Sequence, residues 1–378
     1  MSYRVPLLNE LGYRIHELGG EFRVTDSPAS PSLSARGDRV QSDFGLPVAT
    51  RWVSIKGHDV AVRELGPAIK STHANLIIVE QALHNIETYP LFAQAKMTRA
   101  EIGMWGHGRS YSTPQSQPAA SAKQWLTRRT KWFFAYTQAG ADHVVSEGFP
   151  RLRTTVLNNT IDAAALRSDL DSVTEEVATR FRDELGIEAG KTALFLGGVD
   201  DAKGIPFLLE SVHHISALLP GFTLLIAGDG ARRGDVRAAQ AQGLPIRYLG
   251  RLEGREKALA LLVSDVLAIP KGIGLVALDS LVAGCPIVST TDPHHGPEHE
   301  YLKDHVTCLY SSPGARNYAD AMSSLLTDRM RLSSMQDACV AKSKEFSISI
   351  MADRFVEGLL TWDEMRRRST APFRQYPT

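Results

Sequence analysis

TALFLGGVDDAKGIPFLLES, residues 192–211, decides the fold. An apolar, strand-like run ends in Gly197-Gly198, and after a short polar turn Lys203-Gly204 opens a helix at IPFLLES. Strand, glycine turn and helix in that order form the repeating unit of parallel α/β domains. Glycines at such a junction let backbone N–H groups approach an anion, and the positive end of the helix favours phosphate. Lys203 adds a point charge, although the same pattern taken alone is also an ordinary βα turn.

Two later junctions repeat the theme. IAGDG (226–230) ends a second strand in glycines, at the carboxyl edge where parallel sheets line their ligand crevice. In PKGIGLVALDSLVAGCPIVST (270–290) a strand stops at Pro270 and a Gly-x-Gly loop enters a helix carrying Asp279. The N–H groups of Gly272, Ile273, Gly274 and Leu275 are expected to face a phosphate or sugar. Asp279, less than two turns farther in, suits a ribose diol; its alternative is a solvated helix-face carboxylate.

Outward from there, strands are expected at 192–198, 222–228, 246–250, 266–270, 285–290 and 307–310, with helices near 203–217, 231–241, 254–263, 275–283, 297–302 and 315–325. The first half predicts strands at 21–26, 51–55, 75–80, 101–106, 133–137 and 153–158, and helices near 4–17, 59–71, 88–97, 119–130 and 138–147. A charged helix over 174–187 leads from one series to the other. The expected domains are residues 1–165, 166–348 and a C-terminal helix and tail, 349–378. In that helix Met351, Phe355, Leu359 and Trp362 form one apolar stripe, fit to cross back to the first domain. Segments 27–38 and 111–121 read as loops.

A length of 378 residues agrees with two or three domains. Lys and Arg number 42 and so do Asp and Glu, so the general field that coats nucleic acid is missing, and nucleic acid is excluded as a partner. Cys285, Cys308 and Cys339 form no framework and fit a reducing compartment. No apolar run is long enough for a bilayer, and a cytoplasmic protein is expected, at the inner face of the membrane if it meets one. The basic, aromatic stretch 119–155 holds Trp125, Trp132, Phe133 and Phe134 among six Lys/Arg, and with Arg366 to Arg368 it suits peripheral contact with anionic lipid. Its alternative is a solvated helix followed by a core strand. His295 and His299 have the HxxxH spacing of metal ligands, but Gly296-Pro297 interrupt it, so no metal site is expected.

Taken together these junctions resemble one family. FLGGVDDAKG, LLIAGDG, IRYLGRL (246–252), the strand ending at Pro270, the 272–290 stretch and Pro297-Glu298 stand in the order and spacing of the nucleotide-sugar domain of family 4 retaining glycosyltransferases. YRVPLL (3–8), WGHG (105–108) and VLNNTID (156–162) are similar to that family's acceptor domain. The resemblance covers nearly the whole chain and implies the GT-B architecture: two Rossmann-like α/β domains facing across a cleft. It implies a hexosyltransferase-type enzyme with no cofactor beyond its co-substrate, a nucleotide diphosphate sugar such as a UDP- or GDP-sugar, and a saccharide, lipid-linked or small-molecule acceptor.

By resemblance Lys203 holds the donor diphosphate, with Gly197 in the same turn. Residues Gly272 to Leu275 face the sugar and phosphate, Asp279 binds the ribose, and Glu298 and Gly228 lie in loops near the donor. Arg251 is near the base, and His107 lies against the transferred sugar as a positioning group. Three departures stand out. Gly198 replaces an arginine, and Lys271 replaces the first glutamate of the Glu-x7-Glu signature; Lys271 takes over the phosphate contact or pairs with an acidic sugar. Only Met1 and Ser2 precede YRVPLL, so the first strand is expected to be missing, through a misplaced start or an incomplete domain. These departures motivate the alternative of a GT-B protein that binds a sugar nucleotide or a partner without transfer.

Overall fold

The structure, a computed structural model, describes residues 2–26, 42–55, 58–81, 88–109, 111, 117–292 and 294–370. The loop expected at 27–38, and residues 112–116 of the second loop, lie outside the described residues. The chain divides into two units, the first made of residues 1–110, 114–159 and 348–378, the second of 111–113 and 160–347.

The first unit opens with α1 (Val5–Glu17), followed by β1 (Val24–Asp26) and β2 (Gly45–Pro47), which pair in parallel. β3 (Thr50–Ile55) and β4 (His58–Arg63) form an antiparallel hairpin, and α2 (Leu65–Thr72) follows. The helix expected over 59–71 is therefore wrong in its first half. Val60 and Val62 are β-branched and favour the extended chain, and the run pairs with β3 along its whole length. Then come β5 (Leu76–Glu80), α3 (Thr88–Thr98), β6 (Glu101–Gly106), α4 (Gln117–Arg128), β7 (Trp132–Ala135), α5 (Gln138–Ser146) and β8 (Thr154–Val156). β5, β6, β7 and β8 make a parallel sheet in sequence order, with Ile78 opposite Gly103 and Phe133 opposite Thr154. β7 is buried along its whole length, as a parallel strand covered on both faces requires.

The second unit begins with α6 (Ala163–Asp171) and α7 (Glu175–Leu185), then alternates β9 (Thr192–Leu196), α8 (Ile205–Leu218), β10 (Thr223–Ala227), α9 (Arg233–Ala241), β11 (Ile246–Gly250), α10 (Gly254–Leu262), β12 (Val266–Ala268), α11 (Val276–Ala283), β13 (Ile287–Thr290), β14 (Cys308–Ser311), α12 (Ala315–Thr327) and α13 (Arg329–Ser343). All six strands are parallel, in the order β11-β10-β9-β12-β13-β14. This is the doubly wound order, and its reversal point lies between β9 and β12, where such sheets leave a crevice at their carboxyl ends. Segment 297–302, expected as a helix, is a single short 3-10 helix over Pro297–Tyr301, a form ordinarily limited to a few residues. The three cysteines are free and buried.

α14 (Ile348–Thr370) belongs to the first unit and packs on α1 and on the sheet. Phe355 stacks on Phe134 with ring centroids 4.2 Å apart, and Trp362 donates its indole N–H to Glu101 at 2.6 Å. Gly358 lets helix and sheet approach: a Cβ there would lie 2.5 Å from Thr155 Oγ1 and 2.7 Å from Phe134. Among the described residues no helix is long and apolar enough to cross a membrane.

Candidate functional site

At the reversal point of the second sheet, the turns after β9 and β12 lie together. Asp200 accepts the Lys203 N–H at 3.0 Å, capping the short turn that aims the lysine. The Lys203 ammonium donates to the Gly272 carbonyl, and a Cβ on Gly197 would sit 4.0 Å from its Cε. The structure thus brings Gly197, Lys203 and Gly272 together. Burial lowers the Lys203 pKa, against the pull of Asp200 and Glu298. A cation partly stripped of water gains most from a new anion.

Gly228 supports this turn from behind. A Cβ at 228 would lie 1.8 Å from the Gly197 carbonyl oxygen, closer than any side chain tolerates, and φ is +140° there. Its place is set by the close approach of two backbones. Gly198 adds no charge to this turn; the nearest atom to a Cβ there is Asp200 Oδ2 at 2.9 Å.

The loop from Pro270 to Leu275 is clamped by the end of β13 and the segment after it. Ser289 and Thr290 donate their hydroxyls to the carbonyls of Ile269 and Pro270, at 2.6 and 2.8 Å. His295 Nδ1 accepts the Ile273 N–H at 3.2 Å, His295 Nε2 lies 3.0 Å from the Thr290 carbonyl, and the Gly296 N–H donates to the Ile273 carbonyl at 2.5 Å. The expectation that all four amides from Gly272 to Leu275 face a ligand is therefore corrected at Ile273, whose N–H is taken by a buried histidine. Among the described residues the Gly272, Gly274 and Leu275 amides have no protein acceptor.

With Nδ1 accepting, His295 carries its proton on Nε2 and is neutral. Burial lowers its pKa below the ordinary 6.5, with the Thr290 bond opposing. The unfolded chain therefore binds the proton more readily, so this group's contribution to stability is complete above about pH 6.5 and is lost as pH falls through the folded value. Replacing His295 by asparagine is expected to flatten the fall in Tm between pH 7 and 5 and to raise the donor Kd about 5-fold, roughly the worth of one hydrogen bond. Calorimetric melts across that range check it; an unchanged slope refutes the role.

Asp279, on α11, is 8 % exposed and holds Lys257 of α10 at 2.9 Å. It is thus no solvated helix-face carboxylate. Glu298 is 4 % exposed, and its Oε2 lies 3.8 Å from where a Gly274 Cβ would stand. Lys271 runs its methylenes over Gly204 and pairs with Asp292 at 3.1 Å. Burial raises the Asp292 pKa, but bonds from His294 and Lys271 outweigh it and hold the carboxylate low. Arg251 is half exposed and bonds Glu253 at 2.8 Å. Sequence reasoning missed Lys257 and Asp292, which are ordinary charged residues until the fold pairs them. It noticed His295, for a different chemistry.

In the first unit, His107 follows β6 at the carboxyl edge of the sheet, edge-on to Tyr136 with ring centroids 4.4 Å apart. Arg4 from the turn before α1 bonds Glu80 Oε1 at 3.0 Å and the Tyr136 hydroxyl, and its guanidinium lies 4.8 Å from the Trp105 ring centroid. Crowding by surrounding atoms pushes the His107 pKa down to about 4, with Lys123 and Arg4 adding to it and Glu80 opposing. Its outer edge remains open to solvent, and what matters for chemistry is that the ring is neutral at pH 7. Arg4 and Tyr136 had no sequence signal beyond YRVPLL.

Residues 190–328 match the family model described as glycosyl transferases group 1. The phosphatidyl-myo-inositol mannosyltransferase of Mycobacterium leprae is 36 % identical over 108 residues, which is 27 % of this chain and 28 % of that protein. The 2-deoxystreptamine glucosyltransferase of Streptomyces kanamyceticus is 25 % identical over 178 residues, 45 % of each. The chain thus spans well under two thirds of the length of the curated relatives it matches. Among solved structures, a glycosyltransferase from Rickettsia africae superposes with a TM-score of 0.69 at 14 % identity, over 97 % of this chain and 96 % of its own. The Anabaena protein HepE, crystallised with UDP and glucose, gives 0.66 at 15 % identity, over 94 % and 95 %. Residues 190–328 thus match the glycosyl transferases group 1 model, in a chain whose fold is that of the GT-B glycosyltransferases.

Proposed function

We propose that the chain is a retaining glycosyltransferase that moves a hexose from a nucleotide diphosphate sugar to a saccharide, lipid-linked or small-molecule acceptor. One observation carries this reading: a half-buried lysine, Lys203, bonds the Gly272 carbonyl at the reversal point of a doubly wound sheet, in a loop whose Gly272, Gly274 and Leu275 amides have no protein acceptor among the described residues. In the reaction the bond from the sugar's anomeric carbon to the diphosphate oxygen breaks, and that oxygen keeps the electron pair. The carbon then bonds the acceptor hydroxyl oxygen, whose proton passes to the departing diphosphate. Charge builds on the diphosphate, and Lys203 with the amides is preorganised to stabilise it. Asp279 would take the ribose hydroxyls with the oxygen that Lys257 leaves open. Arg251 would stand near the base and Glu298 beside the sugar, while His107, neutral, would position sugar or acceptor in the other unit.

The UDP of the HepE structures and a GDP-mannose-dependent mannosyltransferase relative from Corynebacterium glutamicum favour UDP- or GDP-sugars as donors. Because lysine and amides supply the positive charge, turnover is expected to persist in excess EDTA within about two-fold, where a metal that holds the diphosphate is worth several kcal/mol. Nucleotide release from UDP-glucose and GDP-mannose, with and without chelator, measures this, and product NMR reads the anomeric configuration. A second reading, binding without transfer, is favoured by Gly198 and by Lys271, which is engaged with Asp292. Saturable donor binding with no turnover across an acceptor panel would establish it. Exposed Trp125, with the Arg129 guanidinium 3.8 Å over its ring, supports peripheral contact with the cytoplasmic face of a membrane.

A further inference from the structure

A cavity of about 300 Å³ opens in the first unit beside His107, lined among others by Gln81, Lys123, Gln124, Thr127 and His143. We propose that it is a phosphate subsite, built on Lys123, which takes the phosphoryl group of the acceptor. The proposal rests on reading this unit as the acceptor side of a glycosyltransferase.

Lys123 stands on α4, and among the described residues its ammonium has neither a hydrogen-bond nor an ion-pair partner. Burial alone pushes its pKa down to about 8. Lysines withdrawn from water are ordinarily paired, since an uncompensated charge is costly to hold. The neighbouring acid does not provide the pair. The Glu147 carboxylate takes a bond from Gln124, and its field acts on His143. Burial lowers the His143 pKa, with Arg109 and Lys123 adding to it and Glu147 opposing, so the ring is neutral and free to hydrogen-bond a ligand.

The choice of phosphate over carboxylate follows from which cation is available. A planar carboxylate is best held by an arginine fork. Arg128 lines the same cavity, but its Nε and Nη2 both donate to the Glu147 carbonyl, at 2.9 and 2.6 Å. Gln81 and Thr127 bond each other at 2.7 Å and Gln124 bonds Glu147, so what remains is the Lys123 point charge with the His143 ring, the Ser121 hydroxyl and the Gln117 amide, a set that suits a tetrahedral anion. The Gly108 N–H bonds Gln81 Oε1 at 3.0 Å, which joins the cavity wall to the residue after His107. Lys123 is close enough to lower the His107 pKa. An acceptor anchored by phosphate in the cavity would present a hydroxyl near that ring.

The test follows Lys123 in the full chain by NMR after reductive methylation with ¹³C-formaldehyde, its signal assigned from Lys123→Arg. Without ligand the resonance should titrate near pH 8. Saturating glycerol 3-phosphate should raise that midpoint by about one unit or more, as an anion in contact does, while glycerol leaves it in place. Vesicles of phosphatidylglycerol, against phosphatidylcholine, form the second arm. A response to glycerol 3-phosphate identifies a soluble phosphate, and a response to phosphatidylglycerol alone identifies a lipid headgroup. A Lys123 signal unmoved by either overturns the proposal. Nucleotide titration by calorimetry on the same sample keeps the two readings apart. Lys123→Met should weaken glycerol 3-phosphate binding at least 10-fold and leave the nucleotide Kd within two-fold. Absence of nucleotide binding from the wild type would count against the donor site alone, and the Lys123 result would stand.

Discussion

Replacing Lys203 by alanine is expected to weaken binding of the nucleotide diphosphate sugar roughly 30- to 150-fold, about 2–3 kcal/mol for one charge-assisted contact in a partly dry site. The loss has two parts. The ammonium that would meet the diphosphate is gone, and the fields of Asp200 and Glu298, which Lys203 now offsets, are left facing an anionic ligand. Like charges in such a site repel strongly. Lys203→Met keeps most of the stem and separates the charge from the packing, so it should resemble alanine in affinity and the wild type in Tm. Calorimetric titration with UDP, GDP and their sugars gives the number. Unchanged affinity for whichever nucleotide the wild type binds would remove Lys203 from the site.

Gly228→Ala should do most damage to the fold. The added carbon would lie 1.8 Å from the Gly197 carbonyl oxygen, which is backbone and unable to swing aside. Strain at a positive φ and overpacking together are expected to cost about 3–5 kcal/mol. That lowers the transition of the second unit by on the order of 10 °C. Gly234→Ala is the contrast. No atom lies within 4 Å of a Cβ there, and the position is in α9, so the change should be neutral or slightly stabilising. Equal melting temperatures for the two variants would contradict the contact between the turns after β9 and β10.

Legibility in the sequence followed the range of the interaction. Most strands and helices of the second unit stood out because a short apolar run ends in a turn, at several junctions a glycine turn, a signal contained within about ten residues. The helices over Ala163–Asp171 and Arg329–Ser343 were passed over, although Asp162 and Asp328 cap them by accepting the N–H groups of Ala165 and Arg331 at 2.9 and 3.0 Å. An N-cap aspartate before a mixed polar stretch is a weak cue when no strong apolar period follows it. Of the hairpin at 50–63 the first strand is legible and the second reads as the start of a helix, because three apolar residues, Val60 to Val62, are too short a run to separate the two. In the site, Lys203 and Asp279 were found by local pattern. Lys257, Asp292 and the role of His295 were not, because each acts across 21 or more positions of sequence, on Asp279, Lys271 and Ile273. No local pattern encodes such a partner. Arg4 is the extreme case, since it meets Tyr136 across 132 positions.

The helix at Ile348–Thr370 has a consequence in time as well as in space. It covers the face of the first sheet that carries Trp105 and Phe134 and lies against Leu7 and Leu11 of α1, so the first unit is closed by residues made after the whole of 160–347. Domains ordinarily fold in the order of their synthesis. Here the order is inverted: a ribosome that has just released residue 347 holds every strand of the second sheet, while the first still waits with its aromatic face uncovered. The later-numbered unit can therefore fold first, and the earlier one must remain open, exposed to chaperones and to unwanted partners, until α14 arrives.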